Sequence, residues 1–468
     1  MATIRQVEGS SGIFAPVWAV SRVGRSEKRA MNGHQRSGGG CVDKARYVII
    51  GAGMTGLAFA NFIDDDDVMV LERDTTIGGY CKTIRQDGFV WDYSGHFFHF
   101  RDPAIERYLV ERISEGEIRT IHKQARVLYK GALIDFPFQK NIHQLPQEEF
   151  IDCLYDMVFR DPQEGSPESF AQMLYARFGR SIAEKFLIPY NSKLYACDLE
   201  TLDHDAMGRF FPYADLEQII ANFRRPDNAS YNATFTYPSG GAIEYVKALY
   251  SELDPNRVYT GDAVTRIDLA HKQVHTASGR QVAFDYLITS VPFNRLLEMT
   301  GLPSEPGVLT SNKVVVFNLG FDRKGLEGVH WVYVPESEYL FYRVGFYDNI
   351  FDTDRMSLYI EVGLNTGDPV DTDALLERTL ADLKRAGIVD DHTLVSWHTV
   401  TLDPAYVHIR QPARALVEKT RRLLQARGVY TVGRYGGWTY CSIEDNIIEA
   451  RALAQDLNTL HAHMTSEP

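Results

Sequence analysis

Apolar and polar positions alternate along this chain in three distinguishable patterns, each predicting a different kind of element. From Ala45, ARYVII is a short β-branched run, GAGMTG a turn, LAFANFI the apolar face of a helix, and VMVLE a second strand. The order is strand, glycine turn, helix, strand. Between about Leu145 and Arg225, FIDCLYDMVF, FAQMLYARFGRSIAEKFLIPY and DLEQIIANF place apolar residues at helical spacing and predict a helical subdomain. From about Leu309 to Leu364 the runs shorten to KVVVFNLGF, HWVYV, YLFYRVGF and SLYIEVGL, which predict an antiparallel sheet able to floor a cleft. RVLYKGALIDFPF upstream reads as a hairpin of that sheet. RVYTGDAVTRIDL and YLITSV return to strand pattern, and GRYGGW reads as a late glycine-rich strand ahead of the helix IEDNIIEARALAQDL.

The fold class that follows is α/β with interleaved domains: a Rossmann-like nucleotide-binding domain, an inserted helical subdomain and an antiparallel β-sheet substrate domain. The nucleotide domain takes residues 45–115, 235–300 and 415–468, the helical subdomain 145–230, and the sheet domain 116–144 with 301–414. Residues 1–44 hold six Arg or Lys ahead of Lys44, SGG-type stretches and no sustained periodicity, and read as a disordered leader. A transit peptide and an upstream start ahead of Met31 are the other readings of that stretch.

Composition narrows the partners. At 468 residues, 44% of them apolar and 24% charged, the chain suits two or three packed subdomains. No apolar run approaches the roughly 18–20 residues of a membrane span, so no membrane partner is expected. A net charge of -13 argues against nucleic acid, and any phosphate site must be local. Cys41, Cys81, Cys153, Cys197 and Cys441 show no CxxC pair, which fits neither a disulfide framework nor a metal site. A reducing cytoplasm is the expected setting, and a homo-oligomer is left open.

In GAGMTG, Gly51 permits the tight turn, Gly53 lets backbone approach a pyrophosphate, and Gly56 lets the helix pack closely on the strand. Met54 and Thr55 open that helix, whose N-terminal N–H groups and dipole favour phosphate. Glu72, followed by Arg73, ends the second strand where an acidic side chain accepts from ribose hydroxyls. A second glycine turn at Gly78 and Gly79, next to Tyr80, favours FAD over NAD. This extended pattern resembles the glutathione-reductase-type flavoproteins. The resemblance places Gly433 beside the isoalloxazine, Asp445 and Asn446 at the start of the last helix, and the Val264 backbone against adenine.

Within that superfamily, six separated motifs resemble UDP-galactopyranose mutase, its eukaryotic form in particular, from about residue 45 onward. SGHFFHF is similar to the family's GGH loop under the flavin, with Gly95 and His96 matching and Ser94 replacing a glycine. PFQKNI resembles the segment beside the uracil and offers Phe136, Phe138 and Gln139; PYNSKLYA offers Tyr190, Asn191 and Tyr195, the last in place of Trp. HWVYVPESEYLFYR keeps the family spacing of Trp331, Tyr333 and Arg343, and DPAYVHIR and GRYGGWTY add Tyr406, Arg434 and Tyr440. The resemblance implies a UDP-sugar mutase working through an adduct between reduced flavin N5 and the sugar, with His96 tuning the flavin. It also implies NAD(P)H as reductant, although Lys123 stands where those enzymes carry an arginine.

The residues ask for similar chemistry on their own account. Two arginines can clamp a diphosphate through planar forks of donors, and Tyr333, Tyr406 and Tyr440 can add hydrogen bonds from rigid rings. Taken singly, an arginine in a strand is more often a surface ion pair, His96 can be a core histidine, and Phe136, Phe138 and Trp331 can be cleft wall. The rival reading is an FAD-dependent oxidase of the amine oxidase or protoporphyrinogen oxidase type, which shares every FAD motif. Arg343 and Arg434, together with the PFQ segment, are what separate the two.

Overall fold

ARYVII is apolar at nearly every position because its strand lies at the centre of a sheet, covered on both faces. In the computed structural model, which describes residues 42–114, 116–160, 167–228 and 233–466, that strand runs Asp43–Ile50. It pairs in parallel with Val68–Leu71 on one side and Gln281–Thr289 on the other. Val258–Tyr259 extends one edge, and an antiparallel meander, Val264–Asp268 with Gln273–Thr276, extends the other. Val429–Thr431 pairs in parallel with the end of Gln281–Thr289 and completes seven strands drawn from widely separated parts of the chain. The helix Met54–Phe62 packs between this sheet and the helices Ile243–Tyr250 and Ile443–Ser466.

Two expectations need correction. The first strand begins at Asp43, so the last residues of the 1–44 leader belong to the sheet; residues 1–41 of that leader lie outside the described residues. GRYGGW is not a strand. The chain leaves the sheet after Thr431 and Gly433–Gly436 forms a helical turn, closed by Gly437 N donating to Gly433 O at 2.6 Å. Gly433 sits at φ +81°, and a Cβ there would lie 2.6 Å from Thr55 Oγ1, so only glycine brings this turn against the start of the Met54–Phe62 helix.

The second sheet also has seven strands, in the order Leu394–Leu402, Asn312–Phe321, Ser357–Asn365, Arg343–Phe346, Trp331–Tyr333, Ala125–Tyr129, Ala132–Asp135. Neighbours are antiparallel except Trp331–Tyr333 beside Ala125–Tyr129. The RVLYKGALIDFPF hairpin joins this sheet at its edge. Asn312–Phe321 is buried at all ten positions, with helix Thr372–Arg385 covering one face of the sheet and a large cavity opening on the other. The helical unit reaches that cavity through Phe170–Ile182, a π turn at Ala183–Leu187, and Ile188–Tyr195. Ile188–Tyr195 lies directly on the sheet because Gly363 has no side chain: a Cβ there would be 2.1 Å from Lys193 O. Among the described residues no helix is long and apolar enough to cross a membrane.

Candidate active site

The two sheets and the helical unit enclose a cavity of about 920 Å³, toward the upper end of the roughly 300–1,000 Å³ usual for ligand pockets. One end is the glycine turn. Gly56 allows the close packing expected of it, since a Cβ would sit 2.0 Å from Gly51 O. Gly53 and Gly79 face each other: a Cβ on Gly53 would lie 3.7 Å from Gly79 Cα, so a side chain on either would fill the gap between the two turns. Gly53 caps the Met54–Phe62 helix with no side-chain hydrogen bond, which leaves its first N–H groups to an anion. Glu72 is buried on this wall; its Oε2 accepts from Ala52 N at 2.7 Å and its Oε1 from Asp74 N at 2.9 Å. Met54, Thr55, Arg73, Gly78, Tyr80 and Val264 line the same end. A dinucleotide fits this cradle.

The middle of the cavity is the Ser94–Gly95–His96 loop. Gly95 lies against the Ser357–Asn365 strand, where a Cβ would come 2.4 Å from the Tyr359 hydroxyl. His96 N and the Tyr347 hydroxyl both donate to Ser94 O, at 2.7 and 3.2 Å. Burial lowers the His96 pKa to about 4, Glu361 works against that shift, and Arg434 and Arg343 add to it. The ring is therefore neutral at pH 7. Because the folded value lies below the unfolded one of about 6.5, the unfolded chain binds more protons between these values. His96's stabilising contribution is complete above about pH 6.5 and is lost as pH falls toward 4. An NMR titration of the His96 ring should show a midpoint near 4; a midpoint above 6 would mean a hydrated or charge-paired ring.

The far end is polar and aromatic. Arg343 stands opposite Glu361 in the register of adjacent strands, and its Nε and Nη2 both donate to Glu361 Oε2, at 2.8 and 2.5 Å. Burial opposes the charge on Arg343, and the Glu361 carboxylate beside it leads the effects that hold its pKa well above the usual value. Arg434 is different. Among the described residues no carboxylate lies within ion-pairing distance of it; its guanidinium lies 4.6 Å from the Tyr440 ring centre and 5.1 Å from that of Tyr406, and Nη2 makes one long bond, 3.4 Å, to Ala405 O. Its buried Nε has no hydrogen-bond partner among the described residues. Tyr406 and Tyr440 stack at 6.0 Å. Burial pushes the Tyr333 and Tyr440 hydroxyls up to about 12, so both remain protonated donors.

Of the residues singled out from sequence, Phe136, Tyr190, Asn191, Trp331, Tyr333, Arg343, Tyr406, Arg434, Tyr440 and Asn446 line the cavity. Phe138, Gln139 and Tyr195 do not. Phe138 is fully buried against Tyr129 and Phe186. The Gln139 side chain turns inward, where its amide donates to Pro212 O. Tyr195 is 1% exposed behind Tyr406. Asp445 is taken up by ion pairs to Arg101 and Arg209 at 2.7 and 2.5 Å, and Gly433 lies behind Thr55. Glu361 and Ser94 bear on the site and were not predicted as site residues; a lone acid in the apolar strand SLYIEVGL was the available signal. No cluster of metal-ligating side chains occurs among the described residues.

A family model described as flavin containing amine oxidoreductase matches residues 54–458. Coproporphyrinogen III oxidase of Bacillus subtilis (strain 168) is 21% identical over 327 residues, 61% of this chain and 69% of that protein. Chloroplastic protoporphyrinogen oxidase of Nicotiana tabacum is 25% identical over 181 residues, 36% of this chain and 32% of that protein. Among solved structures, reduced UDP-galactopyranose mutase matches with a TM-score of 0.83 at 25% identity, covering 89% of this chain and 96% of that one. Wild-type putrescine oxidase bound to putrescine matches at a TM-score of 0.61 and 13% identity, covering 89% and 99%, a likeness of fold alone.

Proposed function

The chain belongs to the flavin-containing amine oxidoreductase family, and on that footing we propose that it is a flavin-dependent UDP-sugar mutase, interconverting pyranose and furanose forms of UDP-galactose or a related nucleotide sugar. The observation that carries this reading is the presence, in one cavity, of a dinucleotide cradle and of Arg434, a cation whose Nε is buried and which no carboxylate among the described residues neutralises. A buried cation of that kind is stable beside an anion such as a diphosphate. The likeness to reduced UDP-galactopyranose mutase supports the same choice.

FAD would be held by the Gly51–Gly56 and Gly78–Gly79 turns. Glu72 is available to ribose hydroxyls, because each of its oxygens accepts one backbone N–H and keeps further acceptor capacity. Reduced and bound, FAD supplies a nucleophile for the anomeric carbon with no net oxidation of the sugar. The chain's own residues bind and orient. Arg434 and Arg343 hold the diphosphate as its bond to the sugar breaks, and the protonated Tyr333 and Tyr440 donate to its oxygens. Neutral His96 places no charge beside the flavin. A reduced nicotinamide in a reducing cytoplasm is the proposed source of electrons.

The test is incubation of dithionite-reduced protein with UDP-galactofuranose, with products separated by chromatography. Isomerisation is expected only in the reduced sample, and equal turnover in oxidised protein would refute the mechanism. The porphyrinogen oxidases among the relatives favour one rival, an oxidase in which Arg434 pairs with a substrate carboxylate. Oxygen-consuming turnover of a porphyrinogen, with no isomerisation of the sugar, would establish it.

A further inference from the structure

Glu361 is 1% exposed and lies at a junction of three cavity elements. One oxygen takes both Arg343 contacts, and the other accepts from Ser94 Oγ. A buried ion pair holds its geometry when the acid's remaining lone pairs are also satisfied, and the Ser94 hydroxyl supplies such a bond. Ser94 is itself held from behind, its carbonyl accepting from His96 N and from the Tyr347 hydroxyl. The next residue, Gly95, touches Tyr359 two positions along the same strand as Glu361. Loop, strand and arginine therefore form one hydrogen-bonded chain from His96 to the diphosphate end.

We infer that Ser94 and Glu361 are positioning residues for the substrate end of the cavity, Glu361 by aiming Arg343 and Ser94 by tying that ion pair to the loop that carries His96. This rests on the sugar-nucleotide reading of the site. It makes the two arginines unequal: the Arg343–Glu361 pair is neutral as a whole and contributes directed donors, whereas Arg434 contributes charge. Arg343 directs Nε and Nη2 into Glu361, so one edge of its fork is fixed and the guanidinium has little freedom to swing. A structural ion pair of no functional consequence would hold the same atoms together, and only coupling separates the two.

The experiment is calorimetric titration of UDP into the FAD-loaded protein, its Ser94→Ala variant, an Arg343→Gln variant and the double variant. Ser94→Ala should retain its flavin and bind UDP about three- to tenfold more weakly, the range of one ordinary hydrogen bond. In the Arg343→Gln background the same change should add less than about twofold, because the residue through which Ser94 acts is already gone. Glu361→Gln provides a second readout: flavin content should stay that of the parent while kcat falls, and an unchanged kcat would count against the inference. Parent-like affinity in Ser94→Ala, or an equal Ser94 effect in both backgrounds, would overturn the inference. A parent that binds no UDP at all would sink the sugar-nucleotide reading, and the inference with it.

Discussion

The Gly53→Val protein is expected to fold and to purify without FAD. Gly53 has φ -87°, an ordinary value for any residue, and its first added carbon would meet the Gly79 backbone at 3.7 Å, a normal contact. The polypeptide therefore accommodates the substitution. Valine's two methyl groups would occupy the gap between the glycine turns, the proposed path of the pyrophosphate. Gly56→Ala is the contrasting case: its Cβ would be driven to 2.0 Å from Gly51 O, so the loss there is of the fold itself. Absorbance of the purified Gly53→Val protein and a thermal melt monitored by circular dichroism separate these outcomes. The melt should fall by no more than the linkage contribution of the lost ligand, about 2.7 kcal/mol at a hundredfold excess over Kd. A variant with full flavin content would refute a dinucleotide at this turn.

The second large effect is expected at the arginines, and the structure reverses which of them gives the simpler result. Sequence alone favours Arg343 for the clean experiment, since it comes from the separate sheet, whereas Arg434 lies beside the flavin. Arg343→Ala, however, would strand Glu361, 1% exposed, without its counter-charge. Breaking a buried pair from one side costs about 3–5 kcal/mol, so that variant should lose stability as well as ligand. Arg434→Ala removes a cation with no carboxylate partner among the described residues, strands none of their charges, and should weaken UDP about ten- to a hundredfold, as expected for one charge-assisted contact of about 1.5–3 kcal/mol. Titration of UDP with flavin absorbance recorded alongside measures both. Lysine at position 434 should recover only part of the loss, because an ammonium lacks the planar fork. Undiminished UDP binding by Arg434→Ala would remove the diphosphate from this cavity.

What the sequence disclosed depended on how local the cause was. GAGMTG and the strand ahead of it were legible because turn, helix start and close packing are all decided within a dozen residues. The strands of the second sheet were legible from their short apolar runs, yet the pairing of Arg343 with Glu361 was not, since it follows from the register of two strands rather than from either one. Phe138 and Gln139 share a motif with Phe136 but belong to a 3₁₀ turn that directs them inward, which motif matching along a line cannot resolve. GRYGGW carries three glycines that suit a strand's close approach equally well. It is the φ of Gly433 that turns it into a helix, and only the neighbouring Thr55 shows why.

The three-piece construction of the nucleotide-binding sheet sets a timetable for the ribosome. Thr55, on the first helix, donates to Asn446 on the last one at 3.1 Å, across 391 positions of chain. At about 5–20 residues per second, those partners emerge about 20 to 80 s apart. Once Leu402 has been made, the glycine turn still lacks Gly433 behind it, while every strand of the inserted sheet has been synthesised and can pair. Cofactor loading is therefore expected late. A nascent chain arrested shortly before Val429 should carry an assembled substrate sheet and no flavin, and until Val429–Thr431 arrives the open edge of Gln281–Thr289 needs shielding from other unfinished chains.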